Sequence, residues 1–246
     1  MEINRDFLKS YMIEKYPEVE TDQKKEIPAP PLQKEYSSDQ ELIELPDPGE
    51  CKAPEERSIM DVIDKRRSHR KFSEEPLTIE ELSFLLWSTQ AMEKDNERLR
   101  KVPSGGARHP FETYIYVRKV DELTPAIYRY LPKEHALVLH QEVDNTTRKD
   151  RKLTAACLGQ KFVARAAVAF IWTAIPYRTE WRYGPAAYKL IAQDSGHLCQ
   201  NLYLASEAIK AGTCGIGAYS QERIDDFIDV DGEDEFVLYL APVGKQ

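Results

Sequence analysis

The densest concentration of positive charge in the chain is a short run at residues 65–71. Five of its seven residues are Arg or Lys, whereas the whole chain carries a formal net charge of −8. Guanidinium groups bind phosphate oxygens through forked, charge-assisted hydrogen bonds, and a nearby hydroxyl can add a further contact. Arg66, Ser68 and Arg70 are therefore candidates for binding a cofactor phosphate. A surface for an acidic partner and a solvated, salt-bridged helix face are the alternatives.

Two glycine-containing stretches could allow a flat ligand to approach the backbone. The first, residues 103–110, contains the adjacent glycines Gly105 and Gly106, which permit backbone geometries closed to other residues. The second, residues 212–218, has three glycines that leave backbone N–H groups free to point at a ligand. It is not a dinucleotide fingerprint, because it lacks a preceding strand and a following helix. A surface turn and close helix packing, respectively, are the alternatives.

Composition limits the classes of protein that fit. The chain has 246 residues, of which 41% are hydrophobic and 31% charged, enough for one large domain or two small ones. Its acidic balance argues against a general nucleic-acid binder. No apolar run approaches the roughly 20 residues that span a bilayer, and the first residues lack the apolar core of a signal peptide. We therefore expect a cytoplasmic protein that contacts neither membrane nor nucleic acid.

The cysteines and histidines do not form a recognisable metal or redox motif. Four cysteines are widely separated and include no C-x-x-C pair, which argues against a structural zinc site or a thioredoxin-like centre. The five histidines suggest no metal cluster either. We expect the cysteines to be buried, reduced and structural.

The first 57 residues are predicted to form a proline-rich N-terminal extension. Seven prolines between residues 17 and 54 prevent long regular structure. A short helix is expected around residues 7–16 and a short strand at residues 42–45. The rest is expected to run extended over the surface.

A compact domain is predicted over residues 58–246. Ser58 and Thr78 are each followed three residues later by an acidic residue, the pattern of a helix capping box. The first of these helices leads directly into the basic run. Arg66 and Arg70 would share one face of that helix if it continued through them.

The remaining sequence predicts interleaved helices and strands. Residues 91–110 are expected to be loop, and the longest helix is expected to end at Gly212, a usual residue just past a helix C-terminus. A hairpin and unequal spacing favour an α+β domain over a doubly wound parallel sheet. Strands are predicted at 111–117, 126–131, 136–140, 167–175 and 236–241, and helices near 151–161, 186–211 and 221–228.

In their order and spacing, these stretches resemble the nitroreductase family of flavoproteins, and its SagB-type dehydrogenase branch in particular. The resemblance covers about residues 58–246 and implies a mainly antiparallel central sheet flanked by helices. It further implies an intertwined homodimer with tightly but non-covalently bound FMN at its interface. NAD(P)H would reduce the flavin, which would pass electrons to a small organic acceptor in a ping-pong reaction. The matching segments are residues 66–72, 103–110, 194–205, 212–218 and 242–245.

The resemblance also implies a role for each site residue. Arg70 would lie beside flavin N1 and O2, where a fixed cation stabilises the charge of the reduced ring. The N–H of Gly217 would meet N5 or O4. The phosphate and ribityl chain would be held by Arg66, Arg67 and Ser68, with Lys245 as a second phosphate contact. The backbone beside the isoalloxazine would be that of Ile216, Gly217 and Ala218. A loop of the other subunit would reach the flavin through Pro103, Ser104, Gly105, Gly106 and Arg108.

One departure from the SagB-type pattern bears on the reaction. Enzymes of that branch that oxidise azoline rings in peptides have a Lys-Tyr pair followed by Gly, where this chain has Arg182, Tyr183 and Gly184. Tyr183 could act as an acid or base, but an arginine does not readily release its proton. Oxidation of a peptide azoline or another small ring is therefore the alternative activity. A flavin carrier or sensor, or a flavin-free interaction module, is the alternative from another class.

Other polar and aromatic residues near these motifs are assigned more simply. His197 and Cys199 lie two positions apart on the long helix, so their side chains point in different directions and do not form a nucleophilic pair. We expect His197 to be a packed core residue. Trp172 is likewise expected in the core, whereas Trp181 and Tyr183 are candidates for lining the pocket above the flavin.

Overall fold

A seven-stranded antiparallel sheet runs through the computed structural model, which describes residues 5–246. The spatial order of its strands is β1-β6-β5-β4-β7-β9-β8, and a separate two-stranded hairpin joins β2 to β3. The predicted α+β class with a mainly antiparallel sheet is confirmed. The strands are β1 (Leu42–Glu44), β2 (Met92–Glu93), β3 (Asn96–Arg100), β4 (Phe111–Val117), β5 (Ala126–Leu131), β6 (Ala136–Glu142), β7 (Val168–Ala174), β8 (Ala211–Thr213) and β9 (Phe236–Lys245).

Helices cover both faces of this sheet. On one face α3 and α6 pack over the larger apolar core, and on the other α4 and α7 pack over a second core. No helix within residues 5–246 is both long enough and apolar enough to cross a bilayer. The helices are α1 (Tyr11–Glu14), α2 (Ile59–Lys65), α3 (Ile79–Gln90), α4 (Thr146–Ala156), α5 (Tyr177–Tyr183), α6 (Ala187–Ala208) and α7 (Gln221–Ile228).

Strand β4 shows why the two cores form on opposite sides. Successive side chains of a strand point to opposite faces of the sheet. Ile115 and Val117 therefore enter the larger core, whereas Tyr114 and Tyr116 enter the second core. All seven residues of the strand are buried.

The capping signals predicted from the sequence are present. The helix after Ser58, however, ends at the start of the basic run and does not continue through it. The Ser58 hydroxyl accepts a hydrogen bond from the Asp61 N–H at 3.1 Å. Helix α2 then ends at Lys65, and Arg66 already has an extended ψ of 122°. The condition under which Arg66 and Arg70 would share a helix face is therefore not met, because the chain leaves the helix and pairs with β8.

The apolar face of α2 is largely uncovered in the single chain. Val62 is buried at 5% exposure, whereas Ile59, Met60 and Ile63 are between 59% and 79% exposed. Ile59, Met60 and Ile63 thus form an exposed apolar group on one short helix.

Three other segments differ from the sequence-based expectations. Within the predicted loop 91–110, β2 and β3 form a hairpin. Helix α4 begins five residues early, because the Asn145 side chain accepts from the Arg148 N–H at 2.8 Å. Helix α6 ends at Ala208, and Lys210 rather than Gly212 adopts the left-handed conformation, with φ of 60°.

The capping box of α3 offers a direct test of this part of the fold. The Thr78 hydroxyl accepts from the Glu81 N–H at 3.3 Å, and the Glu81 carboxylate accepts from the Thr78 N–H at 3.0 Å. We expect Thr78→Ala to lower the free energy of unfolding by about 1 kcal/mol. Chemical denaturation measures the change. Thr78→Ser keeps the hydroxyl and should retain most of the stability; equal loss in both variants would assign the effect to the methyl group instead.

Candidate active site

The basic run and the second glycine stretch, which are distant in sequence, meet at the edge of the sheet. Ser68 forms an isolated parallel bridge with Thr213 of β8, and the His69 N–H donates to the Thr213 carbonyl at 2.9 Å. A Cβ added to Gly212 would lie 2.6 Å from the Cβ of His69, so only glycine allows this approach. The structure therefore brings together two of the three stretches that the sequence singled out.

Tyr203 of α6 connects these two segments. Its hydroxyl accepts from the Gly215 N–H at 2.8 Å and lies 3.0 Å from the Ser68 hydroxyl. The Arg66 guanidinium lies over its ring, 5.2 Å from the centroid. Sequence reasoning placed Tyr203 in a matching segment but gave it no role. The available signal was a tyrosine, with its polar tip, among the leucines and alanines of an otherwise apolar helix stretch.

Most cations of the basic run remain without a counter-charge. Among the residues that the structure describes, Arg66, Arg70 and Lys71 form no ion pair; Arg70 instead lies over the Phe162 ring, 5.9 Å from its centroid. Arg67 is engaged, since one terminal nitrogen donates to two backbone carbonyls at the end of α2, at 2.6 and 2.8 Å. The free charges of Arg66 and Arg70 thus suit an anionic ligand better than Arg67 does.

The backbone at residues 216–218 has donors that the rest of the described chain does not use. Ile216 exchanges hydrogen bonds with Leu240 of β9, which holds the segment at the sheet edge. The next two N–H groups, of Gly217 and Ala218, donate to no residue within 5–246. A Cβ added to Gly217 would meet nothing within 4 Å. No packing within the chain therefore requires glycine at this position.

Lys245 is placed differently from a free phosphate ligand. Its ammonium is in an ion pair with the Glu81 carboxylate, and both side chains are largely buried, at 15% and 11% exposure. A role as second phosphate ligand would require this pair to break. That role stays a prediction from the resemblance alone.

The loop at 103–109 is held by a buried carboxylate on α6. Asp194 accepts from the Ser104 hydroxyl at 2.6 Å and from the Gly105 N–H at 3.2 Å. Burial raises the pKa of Asp194, and these donors oppose that shift. The sequence analysis placed Asp194 in a matching segment but gave it no role, although an acidic residue within the apolar period of a helix was a usable signal. Ser104 and Gly105 are thus engaged by their own chain.

Two further residues, His197 and Arg108, lie near this loop. His197 was expected in the core, but its side chain is 45% exposed and its Nδ1 lies 3.2 Å from the Pro103 carbonyl oxygen. The prediction is wrong because His197 lies on the side of α6 that faces the loop. Arg108 is buried: its guanidinium lies 4.8 Å from the Trp181 ring centroid and its Nε donates to the Arg178 carbonyl at 2.9 Å.

Tyr183 of α5 lies against the same loop. Gly106 has a left-handed φ of 60°, and a Cβ there would lie 2.5 Å from the Tyr183 hydroxyl. The Arg182 guanidinium lies 5.4 Å from the Tyr183 ring centroid, and its buried Nε has no hydrogen-bond partner among residues 5–246. The structure therefore joins Arg182 and Tyr183 to the 103–109 loop.

The two groups of candidate residues lie on different sides of α6. Tyr203 contacts the group around the basic run, and Asp194 holds the 103–109 loop. These two residues are nine positions apart, which in an α-helix corresponds to about 14 Å along the axis and about half a turn around it. Within one chain the two groups therefore do not converge on a single small ligand.

Fold and site together define an α+β protein with a sheet-edge site of free cations and free backbone donors. A phosphate-bearing flat cofactor fits this donor set, since guanidinium groups bind phosphate and unengaged N–H groups can meet ring heteroatoms. The sequence model of the Nitroreductase family matches residues 63–245. The chain belongs to the nitroreductase family of oxidoreductases.

Comparison with individual proteins agrees with this assignment. A Methanocaldococcus jannaschii protein named provisionally as a nitroreductase is 34% identical over 206 residues, which are 83% of this chain and 96% of that protein. The trifolitoxin-processing protein TfxB of Rhizobium leguminosarum bv. trifolii is 33% identical over 124 residues, 49% of this chain and 33% of TfxB. The chain thus spans nearly all of the first relative and a third of the second.

Solved structures show the same fold. A Ralstonia eutropha protein, also named provisionally as a nitroreductase, has a TM-score of 0.67 at 22% identity, over 89% of this chain and 98% of that one. The NADPH:FMN oxidoreductase of Vibrio harveyi, complexed with NAD+, has a TM-score of 0.54 at 19% identity, over 76% and 68%. At these identities the likeness establishes the fold and leaves the activity to be argued from the site.

His109, at the end of the 103–109 loop, predicts a specific acid sensitivity. Burial, together with the nearby Arg100, lowers the pKa of His109 to about 3, so the folded protein keeps this imidazole neutral. An unfolded histidine titrates near 6.5. The contribution to stability is therefore complete above about pH 6.5 and is lost as the pH falls towards 3, because only the unfolded state takes up the proton.

We expect His109→Gln to reduce this loss, by up to about 1.4 kcal/mol per pH unit between pH 6 and 4. Chemical denaturation at four pH values measures the slope for the variant and the parent. The amide of glutamine can still donate to the Arg98 carbonyl, which lies 3.0 Å from the His109 Nε2. The exposed His197 provides the control: if His197→Gln changed the slope equally, burial of His109 would not be the cause.

Proposed function

We propose that this protein is an FMN-dependent oxidoreductase in which NAD(P)H reduces the flavin and a small organic acceptor reoxidises it, by a ping-pong reaction. The observation that carries the proposal is that Arg66 and Arg70 have no ion-pair partner among the described residues, while the Gly217 and Ala218 N–H groups of the nearby glycine segment are unengaged. A bound flavin phosphate would supply the counter-charge that no described side chain gives Arg66 and Arg70.

The residues of this half-site divide between the two ends of the cofactor. Arg66 and Ser68, both beside Tyr203, would hold the phosphate and ribityl end. Arg70 lies over Phe162, which packs against the second core together with Ile216. The resemblance to the family assigns Arg70 to the ring end, next to the glycine segment.

When bound, FMN supplies the hydride acceptance and donation. Arg70 would stabilise the negative charge that reduction places on the N1 and O2 side of the ring. The Gly217 N–H would donate to the ring edge and fix its orientation. Tyr183 can hold or deliver a proton at its hydroxyl, whereas Arg182 keeps its proton and would act by charge alone.

We propose that the active unit is a homodimer. The 103–109 loop and the basic run lie on opposite sides of α6, so a second copy is needed to bring one group to the other. Helix α2, which ends at the basic run, presents the exposed apolar residues Ile59, Met60 and Ile63. Burial of this face against a second copy would remove apolar surface from water and complete the cofactor site at once.

Optical spectroscopy and two substitutions test the cofactor assignment. The purified protein should show flavin absorbance, which NADPH or NADH should bleach under nitrogen. Arg66→Ala should weaken FMN retention by roughly 10- to 100-fold, the worth of a charge-assisted hydrogen bond. Arg70→Ala should in addition lower the reduction potential of the flavin, because the reduced ring loses its counter-charge.

Arg151→Ala, on the outer surface of α4, serves as the control for loss of positive charge and should change neither quantity. A colourless protein that takes up no added FMN would contradict the proposal. A flavin that NAD(P)H cannot bleach would favour a carrier or sensor over a reductase.

Light scattering tests the dimer. The mass should be about twice the 28.4 kDa of the chain at low micromolar concentration. Met60→Lys, which places a charge at the 79% exposed centre of the α2 face, should shift the protein towards monomer and weaken FMN retention with it. Leu158→Lys, at a 63% exposed residue after α4, should leave the mass unchanged. A monomeric parent protein that retains FMN would overturn the shared site.

Oxidation of a peptide azoline, as in the SagB-type branch, is the second candidate. The similarity to TfxB, a protein that processes trifolitoxin, favours it. Arg182 disfavours it, because that position would need to release a proton. Reduced flavin that forms anaerobically on adding an azoline peptide, without NAD(P)H, would establish this second activity.

A further inference from the structure

Part of the N-terminal extension is bonded to α5, the helix that carries Tyr183. The Gln23 N–H donates to the Trp181 carbonyl at 2.9 Å, and the Trp181 indole N–H donates to the Ile27 carbonyl at 2.8 Å. The Tyr177 hydroxyl donates to Asp22 at 2.9 Å. Three hydrogen bonds thus tie one segment of the extension to one short helix.

The same segment touches Tyr183 itself. The rings of Tyr16 and Tyr183 lie 5.6 Å apart between centroids and are tilted by 44°, a favourable aromatic contact. Val19 fills the space beside the next residue, Gly184. A Cβ added to Gly184 would lie 3.0 Å from the Cγ1 of Val19. Tyr16 and Tyr183 are both half-buried, so part of each ring remains open to a ligand.

Lys24 holds the turn that presents Tyr16. Its ammonium donates to the carbonyls of Tyr16, Pro17 and Val19 at 3.3, 2.8 and 2.8 Å. It also lies 5.2 Å from the centroid of the Tyr16 ring. An ammonium group has three donors, and here each meets a backbone oxygen of the same turn. Lys24 therefore helps to fix the turn from which the Tyr16 ring projects.

These contacts form a continuous line from the extension to the candidate active site. Tyr16 contacts Tyr183, and the Tyr183 hydroxyl lies against Gly106 in the 103–109 loop. We propose that residues 16–27 form the outer wall of the acceptor pocket, and that Tyr16 positions Tyr183 and selects flat aromatic acceptors. This proposal rests on the flavin-dependent function proposed above.

Steady-state kinetics with two acceptors tests the role of Tyr16. A benzoquinone must lie flat in the pocket, whereas ferricyanide takes electrons without entering it. Tyr16→Ala should raise the KM for the quinone by about three- to tenfold, the worth of an aromatic contact. FMN content and the KM for ferricyanide should not change. Tyr16→Phe should restore the quinone KM, because the contact needs the ring and not the hydroxyl.

Lys24→Met keeps the aliphatic stem, removes the three donors, and should raise the quinone KM in the same direction by a smaller factor. An unchanged quinone KM in Tyr16→Ala would overturn the proposal. So would an equal rise for both acceptors, or loss of FMN, since either would assign Tyr16 a general structural role.

Hydrogen exchange provides a readout that needs no activity. In the full-length protein, Tyr16→Ala should speed amide exchange in residues 177–183 while leaving exchange in α3 unchanged. Unchanged exchange in 177–183 would show that Tyr16 does not position Tyr183 and would overturn the proposal. A protein that shows the exchange effect but takes up no FMN would instead contradict the flavin-dependent function, so the two failures are distinguishable.

Discussion

The candidate active site depends on one hydroxyl group, that of Tyr203. It accepts from the Gly215 N–H and meets the Ser68 hydroxyl, so it holds the basic run and the glycine segment at a fixed separation. A net hydrogen bond of this kind contributes about 1 kcal/mol, and an unsatisfied buried partner costs more. No described carboxylate forms an ion pair with Arg66, Arg70 or Lys71. Their charges are therefore available to an anionic ligand, which is the basis of the proposed cofactor site.

Helix α6 distributes the site over two surfaces. Because Asp194 and Tyr203 point to opposite sides of one helix, the 103–109 loop and the basic run are kept apart within a chain. Because both groups are attached to the same 22-residue helix, the distance between them within one chain is fixed. The proposed site shared between two copies would bring the two surfaces together and would couple cofactor binding to assembly.

The N-terminal extension is bonded to the sheet domain as well as to α5. Arg129 donates to the carbonyls of Lys34 and Glu35 at 2.8 and 2.9 Å, and the buried Glu112 accepts from the Lys34 N–H at 2.7 Å. Further along, β1 pairs with β6 at the sheet edge. Buried guanidinium and carboxylate groups need such partners, and here the extended backbone supplies them. The boundary at residue 57 remains a prediction, and the extension supplies backbone partners to buried charged groups of the sheet domain.

Local signals in the sequence predicted the helix starts at Ser58 and Thr78, the alternating strand at 111–117 and the short strand near residue 42. They could do so because each of these patterns involves only a few neighbouring residues. The order and spacing of the basic run, the glycine stretches and the other matching segments carried the resemblance to the family, which the family model confirms. Only the tertiary structure decided that α2 stops at Lys65, since Thr213 competes for the backbone that follows it. It likewise decided that Lys245 pairs with Glu81. Those partners lie well over a hundred residues away, so sheet order and side-chain packing determine them, and no local pattern encodes them.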